Sequence, residues 1–233
     1  MSDQLESFNI PKNAKSVVIF IHGFGVRWDS RGMFTDIQQS FPENYGSVFF
    51  DFYTITGNDV YVTPIDRQIK RLLQIIATVQ QIAPLAKINL IAHSKGCIIT
   101  ALAKPKVQGC VIFLAPPESF GTKLEKYFSR YPGVEKTKTE LDIPRKDGTI
   151  THIPLNFFAQ TQAVNAENAM VEYAKNQTIH LLQTTKDEVI GKTKYSLLST
   201  LDNVSITAIP SDHNFTQHNR QLLINYLQGV LNI

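Results

Sequence analysis

Short apolar runs recur along this 233-residue chain, each broken off by a small or polar residue: Ser16 to Ile21 (SVVIFI), Ser47 to Phe52 (SVFFDF), Ile88 to Ala92 (INLIA), Gly109 to Ala115 (GCVIFLA), Thr178 to Gln183 (TIHLLQ) and Val204 to Ile209 (VSITAI). Runs without polar alternation predict strands buried on both faces, as in a parallel sheet. Segments of helical period separate them. Met33 to Gln39 predicts a short helix. Ile65, Ile69, Leu72, Leu73, Ile76, Val79 and Ile82 form the apolar face of a long one, with Thr63 as N-cap, Pro64 at the first position, Asp66 at the third and Pro84 as the stop. Cys97 to about Ala103 predicts another helix. Leu222, Leu223, Tyr226, Leu227 and Val230 mark the last, with Asn214 or Thr216 as its cap. Strands alternating with helices predict an α/β fold, a doubly wound and mostly parallel sheet.

The alternation fails between about Glu118 and Gln177, where the chain is more polar and carries no sheet-core strand. This stretch is too long for a loop and predicts an insertion with structure of its own. Glu118 to Tyr131 predicts a helix. Leu141-Asp142-Ile143 and Thr149 to Ile153 flank Arg145-Lys146-Asp147-Gly148 as a hairpin, and Asn165 to Lys175 predicts a second helix. Tyr53 to Val62 reads as a loop around Gly57. No repeat, low-complexity tract or linker divides the chain, so one domain over residues 1–233 is expected.

Composition narrows the function. The chain is 43% hydrophobic, enough for one substantial core, and its 23 basic and 20 acidic residues are interspersed, a net charge of +3. That distribution offers no basic stripe for nucleic acid. The polar opening MSDQLESFNIPKN lacks a signal-peptide pattern, and no run of about 18 apolar residues suggests a membrane span, so a cytoplasmic protein is expected. Cys97 and Cys110 fall on predicted core elements and are expected as reduced thiols. No Cys/His cluster has metal-ligand spacing, and no metal site is expected.

The chemistry gathers at strand ends. Ala92-His93-Ser94-Lys95-Gly96 lies between a predicted strand and a predicted helix. A serine on so sharp a turn needs small residues two positions away on each side, because strand and helix backbones nearly touch there. Asp187 and His213 each follow another predicted core strand, and the carboxyl ends of parallel strands share one edge. Ser, Asp and His in that chain order are one arrangement of a catalytic triad. Ser94 would be the nucleophile, His213 its base and Asp187 the group that orients the imidazole. The glycine-rich His22-Gly23-Phe24-Gly25 follows the first core strand. Backbone N–H groups of Phe24 and Lys95 would face the oxyanion, each worth roughly 3 kcal/mol in measured cases.

On these motifs, together with Lys186-Asp187-Glu188-Val189 and Asp212-His213-Asn214-Phe215, the chain resembles α/β-hydrolase-fold serine hydrolases over nearly its whole length. The insertion sits where that family places a cap, after the sixth strand. Within the family, the short cap and the His-Asn-Phe ending are similar to small bacterial carboxylesterases of the feruloyl or cinnamoyl type. Ala92 in place of the usual glycine, and the loop after Asp51 without Gly-x-Gly, depart from the pattern. The resemblance implies hydrolysis of a small-molecule ester or thioester without a cofactor. The alternatives are a ligand-binding protein on the same scaffold, or peptidase, lactonase, perhydrolase or carbon–carbon hydrolase chemistry with the same three residues.

Other residues receive plainer expectations. Arg27 and Trp28 follow the oxyanion loop as candidate acyl-pocket residues. The Lys95 side chain projects near the site mouth, where the alternatives are a solvated amine, one paired with an acid, or one that favours anionic substrates. His93 packs at the elbow, His22 bonds within its own loop, and His152, His180 and His218 have no identifiable partner.

Overall fold

The apolar runs stack side by side because each has backbone donors and acceptors on both edges and apolar side chains on both faces. The computed structural model describes residues 6–119, 125, 128–145 and 148–233. In chain order the elements are β1 (Glu6–Asn9), β2 (Ser16–Ile21), α1 (Met33–Gln39), β3 (Tyr45–Phe50), β4 (Thr54–Thr56), β5 (Asp59–Tyr61), α2 (Ile65–Ile82), β6 (Lys87–His93), α3 (Lys95–Ala103) and β7 (Val111–Leu114). The insertion follows with β8 (Glu135–Lys136), β9 (Glu140–Pro144), β10 (Ile150–Pro154), α4 (Leu155–Gln162) and α5 (Ala166–Ala174). The chain closes with β11 (Ile179–Thr184), β12 (Val204–Ile209) and α6 (His218–Leu231).

Seven strands form the main sheet in the order β1-β3-β2-β6-β7-β11-β12. Every pairing is parallel except that of the edge strand β1 with β3. Alternate residues of one strand feed different cores. Val17, Ile19 and Ile21 of β2 join Leu90, Phe113 and the inner faces of α2, α3 and α5. Val18 and Phe20 join Ile91, Ile112 and the apolar sides of α1 and α6. The sheet is thus covered by helices on both sides, as the unbroken apolar runs predict. The insertion leaves this sheet after β7, its fifth strand in chain order and not the sixth strand expected from the sequence.

A second, five-stranded sheet runs β4-β5-β10-β9-β8. The hairpin of β9 and β10 lies where expected, with Gly148 at φ 84° in its turn. Its partner was not anticipated: the segment read as a loop over Tyr53 to Val62 is the β4–β5 hairpin, and β5 pairs in parallel with β10. The helix α4 was likewise not anticipated. Of the helix expected over 118–131 and the hairpin tip, residues 120–124, 126, 127, 146 and 147 lie outside the described residues.

Three helix details depart from the pattern. Pro64, not Thr63, precedes α2, and the Thr63 hydroxyl donates instead to Phe52 O at 2.8 Å. Leu73 and Ile82 are exposed, while Ile75 and Gln68 are buried, which rotates the packed face of α2 toward α3. At the last helix Gln217 occupies the cap position. The Asp212 carboxylate, rather than Thr216 or Asn214, closes the preceding turn by accepting from Thr216 N at 2.8 Å.

Candidate active site

Ser94 sits between β6 and α3 at φ 53°, ψ −121°, a conformation that costs a non-glycine residue about 1–3 kcal/mol and persists only where its surroundings enforce it. Two contacts do so. Ser94 N donates to Leu114 O on β7 at 2.9 Å. A Cβ on Gly96 would lie 2.4 Å from Ile21 O and 2.8 Å from His22 O, so only glycine lets α3 start against the end of β2. The first small position is less demanding, since Ala92 places its methyl in the core. The N-terminus of α3 aims its partial positive charge at the same point.

Parallel pairing of β11 with β12, Thr184 opposite Ile209, brings their following loops to one edge. There His213 Nδ1 lies 2.7 Å from Asp187 Oδ2. The carboxylate also accepts from the Thr184 hydroxyl at 2.6 Å and from the N–H groups of Val189 and Ile190, both at 2.9 Å. Burial alone would push this carboxyl up, but the bonds from His213, Thr184 and Ile190 outweigh it and hold Asp187 below the ordinary carboxylate range. An ionised Asp187 places the proton of a neutral His213 on Nδ1 and leaves Nε2 as the acceptor. The neighbouring acids do other work: Glu188 accepts from His213 N at 3.4 Å, and Asp212 holds Thr216. His93 Nε2 bonds His213 O at 2.9 Å from beneath. Burial, aided by nearby His213, pushes the His93 pKa down to about 3, so it remains a neutral support.

The His22-Gly23-Phe24-Gly25 loop is held by buried groups. Gly23 O receives His22 Nδ1 at 2.8 Å and the Tyr53 hydroxyl at 3.3 Å. C=O and N–H of a trans peptide point in opposite directions, which turns the Phe24 N–H away from those two buried groups. His22 Nε2 accepts from Phe52 N at 3.0 Å, which fixes its tautomer with the proton on Nδ1. Burial is the main reason that its pKa falls to about 3, with nearby Lys95 adding to it. Farther along, the buried Asp51 accepts from Trp28 N at 2.8 Å and from Arg27 Nη2 at 3.1 Å. Burial raises its pKa and Arg27 opposes the rise.

Ser94, His213, Gly23 and Phe24 line one cavity of about 650 Å³, roofed by Phe128, Tyr131 and Arg145 from the insertion. Arg27 and Trp28, expected in an acyl pocket, are not among its lining residues. Asp51 draws both to the side, and the Trp28 ring packs on Phe49. The Lys95 side chain is also not at the mouth. It is buried, donates to Gln68 Oε1, and lies 4.8 Å from the ring centres of Phe52 and Tyr53. Burial lowers its pKa well below the usual lysine value. Tyr53, Gln68, Thr184 and Arg145 carry no local sequence signal. Asp51 has one, since it interrupts the apolar run Ser47 to Phe52 at the end of β3.

Two of the histidines expected to lack partners have them: His152 Nδ1 meets Asp142 Oδ1 at 2.8 Å, and His180 Nδ1 meets the Ser205 hydroxyl at 2.9 Å. Among the described residues, Glu140, Asp142 and His152 on the second sheet bring potential metal-ligand atoms within 4.8 Å of one another. Their grouping arises from strand register, which Cys/His spacing does not reveal. No helix among the described residues is long and apolar enough to cross a membrane.

A family model described as alpha/beta hydrolase fold matches residues 16–196. No curated protein matches the chain by sequence. Among solved structures, Est1E from Butyrivibrio proteoclasticus with ferulic acid bound is similar, with TM-score 0.70 and 15% identity over 100% of this chain and 97% of that one. The Pyrococcus furiosus esterase Pf2001 gives 0.67 and 16%, over 100% and 91%. A Paleococcus ferrophilus monoacylglycerol lipase gives 0.61 and 15%, over 98% and 99%.

Proposed function

Because the chain belongs to the α/β-hydrolase fold family, we propose that it hydrolyses a carboxylic ester or thioester through an acyl-enzyme on Ser94. The observation that carries this reading is the 2.7 Å bond between His213 and Asp187, in a loop that shares one cavity with the strained serine. The esterases and the lipase of similar fold agree with it.

In this reading Nε2 of His213 takes the Ser94 proton as Oγ attacks the acyl carbon. The tetrahedral oxyanion is received by the N–H groups of Phe24 and Lys95, aided by the N-terminus of α3. The imidazolium then protonates the leaving alcohol or thiol, and the acyl-enzyme remains. His213 next removes a proton from water, whose oxygen attacks the acyl carbon, and the carboxylic acid departs as Ser94 regains its proton. The residues supply every proton transfer. His93 and Asp187 hold His213 in place from two sides, while His22 and Tyr53 hold the oxyanion loop.

The test is turnover of para-nitrophenyl esters from acetate to long-chain acyl groups, of acyl-thioesters and of a feruloyl ester. Turnover that falls at least a thousandfold in Ser94→Ala is expected. Turnover retained in that variant, or absent from every substrate with folded protein, overturns the reading.

A further inference from the structure

We infer that the Lys95 side chain and Gln68 are positioning residues that tie together the two peptides expected to receive the oxyanion, a role that rests on the hydrolase reading above. The two ends of Lys95 have separate tasks. Its N–H stands at the start of α3, in the proposed oxyanion hole, while its side chain runs into the core and leaves the residue 1% exposed. There Nζ donates to Gln68 Oε1 on α2. Gln68 is fully buried and passes the link on: Nε2 donates to Thr63 O at 2.6 Å, and the Thr63 hydroxyl donates to Phe52 O at 2.8 Å. Phe52 N in turn donates to His22 Nε2 at 3.0 Å, and His22 Nδ1 donates to Gly23 O at 2.8 Å. That carbonyl belongs to the peptide whose N–H, that of Phe24, is the second proposed donor. A shorter route runs beside the first. Lys95 Nζ lies 4.8 Å from the ring centres of Phe52 and Tyr53, and the Tyr53 hydroxyl donates to the same Gly23 O at 3.3 Å.

The chemistry of each link allows one arrangement. Thr63 O can only accept, so the Gln68 amide turns its NH2 toward it and its oxygen toward Lys95. An amine donates whether charged or neutral, so the burial that lowers the Lys95 pKa leaves this bond in place. Phe52 N can only donate, which keeps the His22 proton on Nδ1, facing Gly23. Each donor of the chain thus has its acceptor, and enclosed hydrogen bonds in series polarise one another. Methionine in place of Lys95 would fill similar space without burying an amine. What lysine adds is the donor. With it, any drift of the α3 N-terminus from the Gly23 loop would break a buried hydrogen bond and leave its partners unsatisfied.

Lys95→Met and Gln68→Met cut the chain while keeping much of the apolar bulk. Each should lower kcat on para-nitrophenyl esters about ten- to thirtyfold, a part of the roughly hundredfold or more that one oxyanion donor carries, with KM held within about twofold. The double variant should be no slower than Lys95→Met, which cuts both routes. Thr63→Val should lower kcat in the same way, and Thr63→Ser, which keeps the hydroxyl, should not. Unchanged kcat in folded variants, a loss confined to KM, or additive losses in the double variant overturns the inference. Nuclear magnetic resonance of isotope-labelled protein reads the tie without turnover. Gln68→Met and Thr63→Val should each shift the resonances of His22 Nδ1–H and Phe24 N–H. Resonances that stay in place overturn the inference whether or not any ester is turned over. Absence of turnover from the folded wild-type protein would instead be the failure of the hydrolase reading, with the resonance shifts still measuring the tie between the two peptides.

Discussion

The edge of the main sheet and the smaller sheet above it build the same cavity by different means. At the edge, backbone does the work. Ser94 is held at a positive φ by β7 and by a glycine that tolerates no Cβ, and the Phe24 N–H is aimed by two donors on the carbonyl of the same peptide. The insertion that carries the smaller sheet contributes side chains, with Phe128 and Tyr131 ahead of β8 and Arg145 just after β9 lining the cavity. Backbone placement leaves little room for substitution, whereas side-chain placement can change without disturbing the reacting groups. In the proposed reaction, the reacting groups thus stand on the main sheet and the insertion supplies part of the cavity wall.

Substitution can break this contrast, and Gly96→Ala should do most damage. A methyl 2.4 Å from Ile21 O meets backbone that cannot yield, so a loss of about 3–5 kcal/mol is expected from urea denaturation. A loss below about 1 kcal/mol would show that the elbow is softer than its contacts indicate.

Acid should weaken the main-sheet edge next. His22 and His93 have their pKa lowered from 6.5 to about 3, chiefly by burial. The unfolded chain takes up these protons near pH 6.5, but the folded chain does so only near pH 3. Stability is therefore fully present above pH 6.5 and declines as pH falls toward 3. By about pH 4.5 the decline should reach roughly 2–3 kcal/mol per histidine. Denaturation midpoints between pH 7 and 4.5 measure it, and His93→Gln should flatten the slope. An unaltered slope would remove His93 from the account.

Asp51→Asn sharpens the contrast within the edge itself. It leaves an acceptor for Trp28 N but removes the charge that holds Arg27, so in the proposed reaction kcat should fall about tenfold while KM changes little, as expected for a group that acts through the loop after Gly25 and not on substrate. An effect confined to KM would return Arg27 to substrate binding. The smallest effect belongs to the second sheet. Gly57 has φ 61° and open space around it, so Gly57→Ala should cost only about 1 kcal/mol and leave turnover intact.

The regions also differed in how much the chain disclosed before folding. The main-sheet strands were legible because burial on both faces leaves uninterrupted apolar runs. The elbow was legible because close approach of strand and helix requires small residues at fixed offsets. The β4–β5 hairpin was not, since its three-residue strands gain a partner only in β10, about ninety residues later. The sequence position of Lys95 points its side chain to the mouth because an ammonium ordinarily seeks water. Its actual surroundings, Gln68 and the rings of Phe52 and Tyr53, come from two other segments. Arg27 and Trp28 are adjacent to the loop in sequence, but Asp51, just after β3, overrides adjacency. Arg145 reaches the site across a fold in which 120 positions separate it from Gly25.

Lys95 also makes the interior chemically visible. An amine enclosed between α2 and α3, with its ammonium form disfavoured by burial, is shielded from acylating reagents in the native protein. Once those helices part, it becomes an ordinary reactive lysine. The rate at which Lys95 is labelled, against the immediate labelling of exposed lysines, therefore times the opening of the layer directly beneath Ser94.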